Sequence, residues 1–127
     1  MLVSIIMPTY QCGAYIEESI RSVIAQTYQQ WELIVVDDCS TDETREVVKA
    51  LMEIEPRIRY IVNDRNSGAA LSRNRALREA RGRWIAFLDS DDLWTPDKLQ
   101  QQICFMEQHD YPFSYHAYSE ISESGQP

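Results

Sequence analysis

The sequence lacks the apolar runs that a membrane protein needs. No hydrophobic stretch approaches the ~18 residues of a membrane-spanning helix, and no basic segment near Met1 leads into the apolar region of a signal peptide. With 127 residues, 44% of them hydrophobic and 25% charged, the chain has enough apolar material for one core. We therefore expect one domain over residues 1–127 and a cytoplasmic location.

Basic residues and cysteines are also scarce, and each shortage excludes a class of protein. The chain has 12 Lys and Arg against 20 Asp and Glu, and its formal net charge of −8 would repel nucleic acid over most of the surface. Cys12, Cys39 and Cys104 form neither an even disulfide set nor a closely spaced metal motif. We expect free thiols and no nucleic-acid partner.

The sequence does contain a regular alternation of strand and helix patterns. Short β-branched or apolar runs predict five strands, at residues 3–8, 31–38, 58–62, 84–88 and 113–119. Helical patterns lie between them, at residues 16–24, after a capping box at 40–43, at 67–80, and from an N-cap at Thr95 with Pro96 behind it. This alternation predicts an α/β fold, a Rossmann-like three-layer αβα arrangement with a mostly parallel sheet.

Polar residues follow the predicted strands. Asp37 and Asp38 come after the second strand, and Asp89, Ser90, Asp91 and Asp92 come after the fourth. In open α/β sheets, ligands bind beyond the carboxyl ends of the strands, so these side chains are expected to meet at one edge. Gathered carboxylates repel one another, which favours a bound cation. Their oxygens suit Mg²⁺ or Mn²⁺, and these ions also bind phosphate oxygens, so the pattern predicts a diphosphate site.

The third predicted helix adds a basic side chain to this edge. Ala70, Leu77 and Ala80 share one helical stripe on which Arg73 also lies. Its guanidinium is expected either to point toward the site or to pair with an aspartate on the rim. The neighbouring arginines are predicted to form a solvated face, at positions 65, 75, 78, 81 and 83.

Four segments, in this order and spacing, resemble the nucleotide-binding half of family 2 glycosyltransferases with the GT-A fold. They are VSIIMPTY, WELIVVDDCSTDET, NSGAALSRNRALREARGRWIAFLDSDD and TPDKL. The resemblance runs from about Val3 to Leu99, and the combination is specific although each motif alone is weak. It implies a nucleotide-sugar donor, most often a UDP-sugar, with dTDP and GDP left open. It also implies transfer of the sugar to an acceptor hydroxyl with inversion at the anomeric carbon.

The resemblance assigns the predicted site residues to parts of the donor. Pro8, Thr9 and Tyr10 match the loop that borders the base, with Tyr10 packed on the uracil ring. Asp38 matches the aspartate that accepts a hydrogen bond from the uracil imide N–H. An aromatic face and a charged acceptor together give affinity and identity to a flat heterocycle. Arg73 matches a basic residue of the nucleotide pocket.

The segment Asp89, Ser90 and Asp91 matches the DxD motif of the family. Asp91 is the expected metal ligand, and Asp89 is expected to contact the ribose or a metal-bound water. The cofactor, Mn²⁺ or Mg²⁺, would neutralise the diphosphate leaving group. For Asp92, a metal role and a role as cap of the following turn both stay open.

The sequence departs from the family pattern in two places. Gln11 stands where the family usually has Asn. No residue before Pro127 matches the catalytic base, although His109, His116 and Glu120 stay open as candidates. We therefore expect the donor-binding part of a longer protein, with its base beyond Pro127. The acceptor stays open between a sugar, a lipid-linked sugar and a protein, and so does membrane association of the full-length protein.

Three other classes share part of this pattern. A receiver domain of two-component signalling also binds Mg²⁺ with aspartates, but its acidic pair follows the first strand, and it needs a lysine at a strand end that this chain lacks. A dinucleotide-binding oxidoreductase needs a glycine-rich turn after the first strand, where this chain has only Gly13. A non-catalytic nucleotide-binding module stays open as an alternative.

Overall fold

The computed structural model describes residues 1–109, which form one parallel sheet with helices on both faces. The elements in chain order are β1 (Val3–Thr9), α1 (Ile16–Ile24), β2 (Trp31–Asp37), α2 (Thr44–Ile54), β3 (Ile58–Val62), α3 (Ala69–Glu79), β4 (Trp84–Phe87) and α4 (Lys98–His109). The predicted α/β class is confirmed, and the bounds of these four strands agree with prediction to within one residue. The predicted strand at 113–119 lies outside the described residues. Within 1–109, no helix has the length and hydrophobicity of a membrane span.

Strand β1 lies in the middle of the sheet, whose order is β3-β2-β1-β4. It pairs in parallel with β2, where Thr9 lies opposite Asp37, and in parallel with β4, where Ile6 lies opposite Phe87. The ladder continues past the strand ends, because Asp38 N–H donates to Thr9 O (2.9 Å). The carboxyl ends of β1, β2 and β4 therefore meet at one edge.

Two apolar cores lie on opposite faces of the sheet. Alternate side chains of β1 divide between them, since successive residues of a strand point to opposite faces. Val3, Ile5 and Met7 belong to the larger core, which α1, α2 and α4 cover, and Ile6 belongs to the smaller core under α3. These β1 side chains are at most 1% exposed, and burying one such side chain contributes roughly 1.5–3 kcal/mol.

Helix α3 packs on the sheet through small side chains, and it starts two residues later than predicted. Ser72 and Ala76 are its buried residues. The stripe of Ala70, Leu77 and Ala80 does not form the buried face of the helix, because Ala70 and Leu77 are exposed and only Ala80 packs against the smaller core. Small side chains let the helix backbone approach the close-packed surface of β1 and β2.

The starts of two helices differ from the predicted caps. The predicted capping box before α2 is wrong, because Asp42 Oδ1 instead accepts the N–H of Thr44, the first residue of the helix (3.0 Å). The predicted N-cap of α4 is also wrong. Its hydroxyl, Thr95 Oγ1, donates to Asp97 Oδ1 (3.2 Å), and the helix begins at Lys98. Both segments form polar turns before the helix. The same residue types occur in such turns and in helix caps, so composition alone does not distinguish the two.

A buried polar cluster joins β1, β2 and the α3–β4 connection at the opposite end of the sheet from the predicted site. Glu32 Oε2 accepts from Ser4 Oγ (2.6 Å) and from Arg81 N–H (2.7 Å), and Glu32 Oε1 accepts from Arg59 Nη1 (3.3 Å). Gly82 fits here because a Cβ would lie 2.7 Å from both Leu2 O and the Ser4 backbone nitrogen. Burial alone would raise the pKa of Glu32, but these hydrogen bonds lower it below its usual value.

We expect Glu32→Gln to lower the free energy of unfolding by about 1–3 kcal/mol near neutral pH, because the charged acceptor of three hydrogen bonds is lost. The pKa of Glu32 is lower in the folded chain than in the unfolded chain. Its contribution is therefore present above the unfolded pKa of ~4.3 and disappears as the pH falls through the folded pKa. Urea unfolding of both proteins at a series of pH values measures this difference.

Glu79→Gln is the matched control for this change. The Glu79 side chain is 47% exposed and pairs with Arg59 at 2.8 Å, so its loss should cost below about 1 kcal/mol. If the two substitutions cost the same, or if the Glu32→Gln deficit grows on acidification, the buried cluster does not depend on an ionised Glu32.

Candidate functional site

A cavity of about 320 Å³ opens at the edge where the carboxyl ends of β1, β2 and β4 meet. It brings together all eight residues predicted from the sequence: Pro8, Thr9, Tyr10, Asp38, Arg73, Asp89, Ser90 and Asp91. Three residues that the sequence analysis did not assign to the site also line it: Cys12, Ala69 and Ser72. The structure thus gives the predicted residues a shared location, while their roles stay predictions.

Asp38 is buried at 5% exposure, and hydrogen bonds surround its carboxylate. Oδ1 accepts from Ser67 N–H (2.7 Å) and Asn63 Nδ2 (2.9 Å), and Oδ2 accepts from Gly68 N–H (2.8 Å). Gly68 has φ 95°, in the left-handed region that glycine adopts without strain. Burial alone would raise the pKa of Asp38, but these donors lower it below its usual value. Asp38 is thus held ionised at the cavity wall.

The neighbouring Asp37 has a different environment. Its carboxylate accepts from the Tyr60 hydroxyl and from Ser40 N–H (2.9 Å), and it does not line the cavity. Burial and the Asp37 carboxylate together raise the pKa of the Tyr60 hydroxyl. The Asp37 carboxylate therefore ties β3 and the β2–α2 loop to the end of β2, whereas Asp38 faces the site.

The loop after β1 presents an aromatic ring beside the cavity. Tyr10 is 49% exposed, whereas Thr9 is 4% exposed and its Oγ1 has no hydrogen-bond partner within residues 1–109. Gln11 has φ 54°, a strained region for a residue other than glycine. Its side chain offsets this strain by accepting from Thr41 N–H (2.6 Å) and donating to Thr41 Oγ1 (3.0 Å). Gln11 therefore joins the loop after β1 to the loop after β2.

The acidic turn after β4 gathers three carboxylates. Oxygens of Asp89, Asp91 and Asp92 lie within 4.8 Å of one another, in an arrangement that could hold a metal ion. Desolvation and the charge of Asp91 raise the pKa of both Asp89 and Asp92. The carboxylates thus destabilise one another's ionised forms, a cost that a cation would relieve.

Two arginines of α3 lie at or near the cavity, and one of them was mispredicted. Arg73 is half-buried in the cavity wall, and its charge opposes the rise in the pKa of Asp89. Arg75 was expected on a solvated face. Instead, its Nη1 donates to Val62 O (3.0 Å) and to Asn63 Oδ1 (3.1 Å).

The sequence interpretation missed the residues that hold the acidic turn in place. Ser19, on the buried face of α1, has its Oγ 2.5 Å from Asp92 O and 3.2 Å from Asp89 O. One helical turn later, Ser22 Oγ accepts from Trp94 N–H (3.3 Å). The sequence does carry a signal for these contacts. Ser19 and Ser22 stand at inward positions of an otherwise apolar helix face, and a buried hydroxyl needs a hydrogen-bond partner.

Ser19→Ala should lower the free energy of unfolding by about 1–3 kcal/mol, because Ser19 is fully buried and alanine cannot make its hydrogen bond to Asp92 O in the acidic turn. Ser67→Ala is the control, since the Ser67 hydroxyl donates to Arg65 O (2.9 Å) at the surface, and it should change stability by less than about 0.5 kcal/mol. Urea unfolding measures both. Equal effects would mean that Ser19 does not fix the turn.

Comparison with known sequences identifies the family. The model of glycosyl transferase family 2 matches residues 4–125. A Bacillus subtilis (strain 168) protein named as a teichuronic acid biosynthesis glycosyltransferase, TuaG, is 47% identical over 99% of this chain and 50% of its own length. The UDP-Glc:alpha-D-GlcNAc-diphosphoundecaprenol beta-1,3-glucosyltransferase WfgD of Escherichia coli is 48% identical over 97% of this chain and 48% of its own. The chain spans about half the length of these curated relatives.

Solved structures with the same architecture agree with this identification. S. aureus TarS 1-349 in complex with UDP-GlcNAc has a TM-score of 0.81 and 34% identity, over 87% of this chain and 32% of that one. The mannosyltransferase PcManGT from Pyrobaculum calidifontis, in complex with GDP-Man and Mn²⁺, has a TM-score of 0.77 and 32% identity, over 82% and 32%. The chain therefore belongs to glycosyl transferase family 2 and has the α/β fold of the GT-A glycosyltransferases.

Proposed function

We propose that this chain is the donor-binding part of an inverting glycosyltransferase that takes sugar from a UDP-sugar and passes it to an acceptor hydroxyl in cell-surface polysaccharide synthesis. The observation that carries the proposal is the cavity that Tyr10, Asp38, Arg73 and Asp91 line together. An aromatic ring, a carboxylate acceptor, a cation and an acidic turn suit the parts of a nucleoside diphosphate sugar. The names of the relatives support the pathway and a sugar or lipid-linked sugar as acceptor.

The base is recognised, in this proposal, at the β1 and β2 end of the cavity. The Tyr10 ring packs on the uracil face, where stacking supplies affinity. Asp38 accepts the imide N–H, and its position is fixed by the donors from Asn63, Ser67 and Gly68. A carboxylate carries about four acceptor positions, and protein donors occupy three of these, so one is left for the ligand.

The diphosphate is held at the β4 end. The three carboxylates of the acidic turn offer hard oxygen ligands within 4.8 Å of one another, a donor set that fits Mg²⁺ or Mn²⁺. Asp91 is the proposed ligand, and Asp89 contacts the ribose or a metal-bound water. A bound metal ion would supply Lewis-acid neutralisation of the leaving diphosphate. Arg73 adds a second positive charge, and the structured turn keeps the donor oriented for attack.

Binding of UDP should require Mn²⁺ or Mg²⁺, because without a cation the negative charges of the diphosphate and of the acidic turn repel each other. Isothermal titration calorimetry with metal and with a chelator tests this expectation, and equal affinity in both conditions would contradict the metal role. Asp91→Asn should abolish the dependence on metal. Asp92→Asn is the matched control, since Asp92 belongs to the same turn but does not line the cavity, and it should keep most of the dependence. The opposite order would identify Asp92 as the ligand.

The 127-residue chain on its own should bind donor and form no acceptor-dependent product. An inverting transfer also needs a general base near the acceptor hydroxyl, and the carboxylates of the cavity are already assigned to the donor. Incubation with radiolabelled UDP-sugars, Mn²⁺ and a panel of sugar and lipid-linked acceptors measures the product. Slow donor hydrolysis is compatible with the proposal. Robust acceptor-dependent transfer would show that the base lies within this chain.

A further inference from the structure

We propose that Asn63 and Arg75 are positioning residues that select the base of the nucleotide, because they fix the Asp38 carboxylate as a pure hydrogen-bond acceptor. This inference rests on the proposed function, in which Asp38 faces the base. It adds two residues behind the cavity wall: Asn63, which is 8% exposed, and Arg75, a half-buried residue of α3.

Arg75 determines which way the Asn63 amide points. Its Nη1 donates to Asn63 Oδ1 (3.1 Å) and to Val62 O (3.0 Å). A guanidinium has donors only, so the amide atom facing Arg75 has to be the oxygen. The amide nitrogen of Asn63 therefore points to the opposite side, toward the cavity wall.

The oriented Asn63 amide in turn fixes Asp38. Asn63 Nδ2 donates to Asp38 Oδ1 (2.9 Å) and to Ser72 Oγ (2.9 Å), and Ser72 is 1% exposed. Asp38 Oδ1 also accepts from Ser67 N–H, so both of its acceptor positions are occupied. The free acceptor position lies on Oδ2, beside the bond from Gly68. Asp38 is thus left with one acceptor position for a ligand and with no proton to offer.

A fixed acceptor matches some bases and rejects others. Uracil, thymine and guanine carry a ring N–H that can donate to it. Cytosine presents an unprotonated ring nitrogen at the corresponding position, and two acceptors would then face each other without a proton. Leaving a buried polar group without its partner costs much more than a lost contact, so such a site rejects the wrong ligand strongly.

Loss of Arg75 releases this selection. Without the guanidinium, the Asn63 amide can turn and bring its oxygen toward Asp38 Oδ1. Two oxygens at that distance require a proton between them or a rotation of the Asp38 carboxylate. Either change gives Asp38 a proton or a position that also suits cytosine.

Calorimetry of UDP and CDP binding in Mn²⁺ tests the inference with the purified chain. The wild type should prefer UDP, and Arg75→Met should reduce the ratio of the two affinities by on the order of tenfold or more. Arg78→Met is the matched control, because Arg78 is an exposed arginine of the same helix outside this network and the change in charge is identical. It should keep the wild-type ratio. Arg75→Lys, which also only donates, should restore most of it.

A double variant tests whether Arg75 acts through Asp38. In the Asp38→Asn background, Arg75→Met should change the ratio no further, because coupled residues are not additive. An unchanged ratio in Arg75→Met, or a further change in the double variant, overturns the inference.

Should Arg75→Met fail to fold, Asn63→Asp keeps the side-chain shape without the donor and decides in the same way. A wild type that binds no UDP overturns the proposed function itself, whereas UDP preference that survives these variants overturns only the inference.

Discussion

The parallel pairing of β1 with both β2 and β4 is the constraint on which the site depends. Since all three strands run in the same direction, their carboxyl ends meet, and every residue that follows them is brought to one edge. The chain thereby places an aromatic ring, a buried carboxylate and an acidic turn around one cavity. The same arrangement concentrates negative charge there, in a chain that is already acidic.

The chain handles its carboxylates at this edge in two ways. Asp38 accepts three hydrogen bonds from the protein, which hold its pKa low despite burial. Within residues 1–109, the carboxylates of Asp89 and Asp92 have no such donors, and their pKa values are raised by desolvation and by Asp91. A carboxylate already satisfied by neutral donors suits the recognition of a neutral N–H group. Mutually repelling carboxylates suit a cation, so the two ends of the cavity are prepared for different chemistry.

Much of this arrangement could be predicted because it follows from local patterns. The four described strands are marked by β-branched and apolar runs, and the polar residues after them are read directly from the sequence. The side-chain period of a strand also separates Asp37 from Asp38, since Asp38 continues the face of Ile34 and Val36 under α3. That signal was available but unused, and both aspartates were placed together at the same site.

What could not be predicted depends on contacts between distant segments. The inward face of α3 consists of Ser72 and Ala76, because close approach to the sheet favours small side chains there over Leu77. The acceptors of Arg75 are Val62 O and Asn63 Oδ1, at the end of β3. The helical periodicity of α3 does not indicate which strand residues its side chains contact.

In the proposed function, the acceptor at Asp38 also sets the limit of its own selectivity between bases. Uracil, thymine and guanine all present a ring N–H beside a carbonyl group, so one fixed acceptor separates these bases from cytosine but not from one another. Distinguishing a pyrimidine from a purine then depends on the size and walls of the cavity, where Pro8, Tyr10 and Ala69 contribute apolar or aromatic surface. Hydrogen-bond identity and shape are therefore supplied by different elements: the β2 end and β3–α3 loop supply the first, and the β1 loop and the start of α3 supply the second.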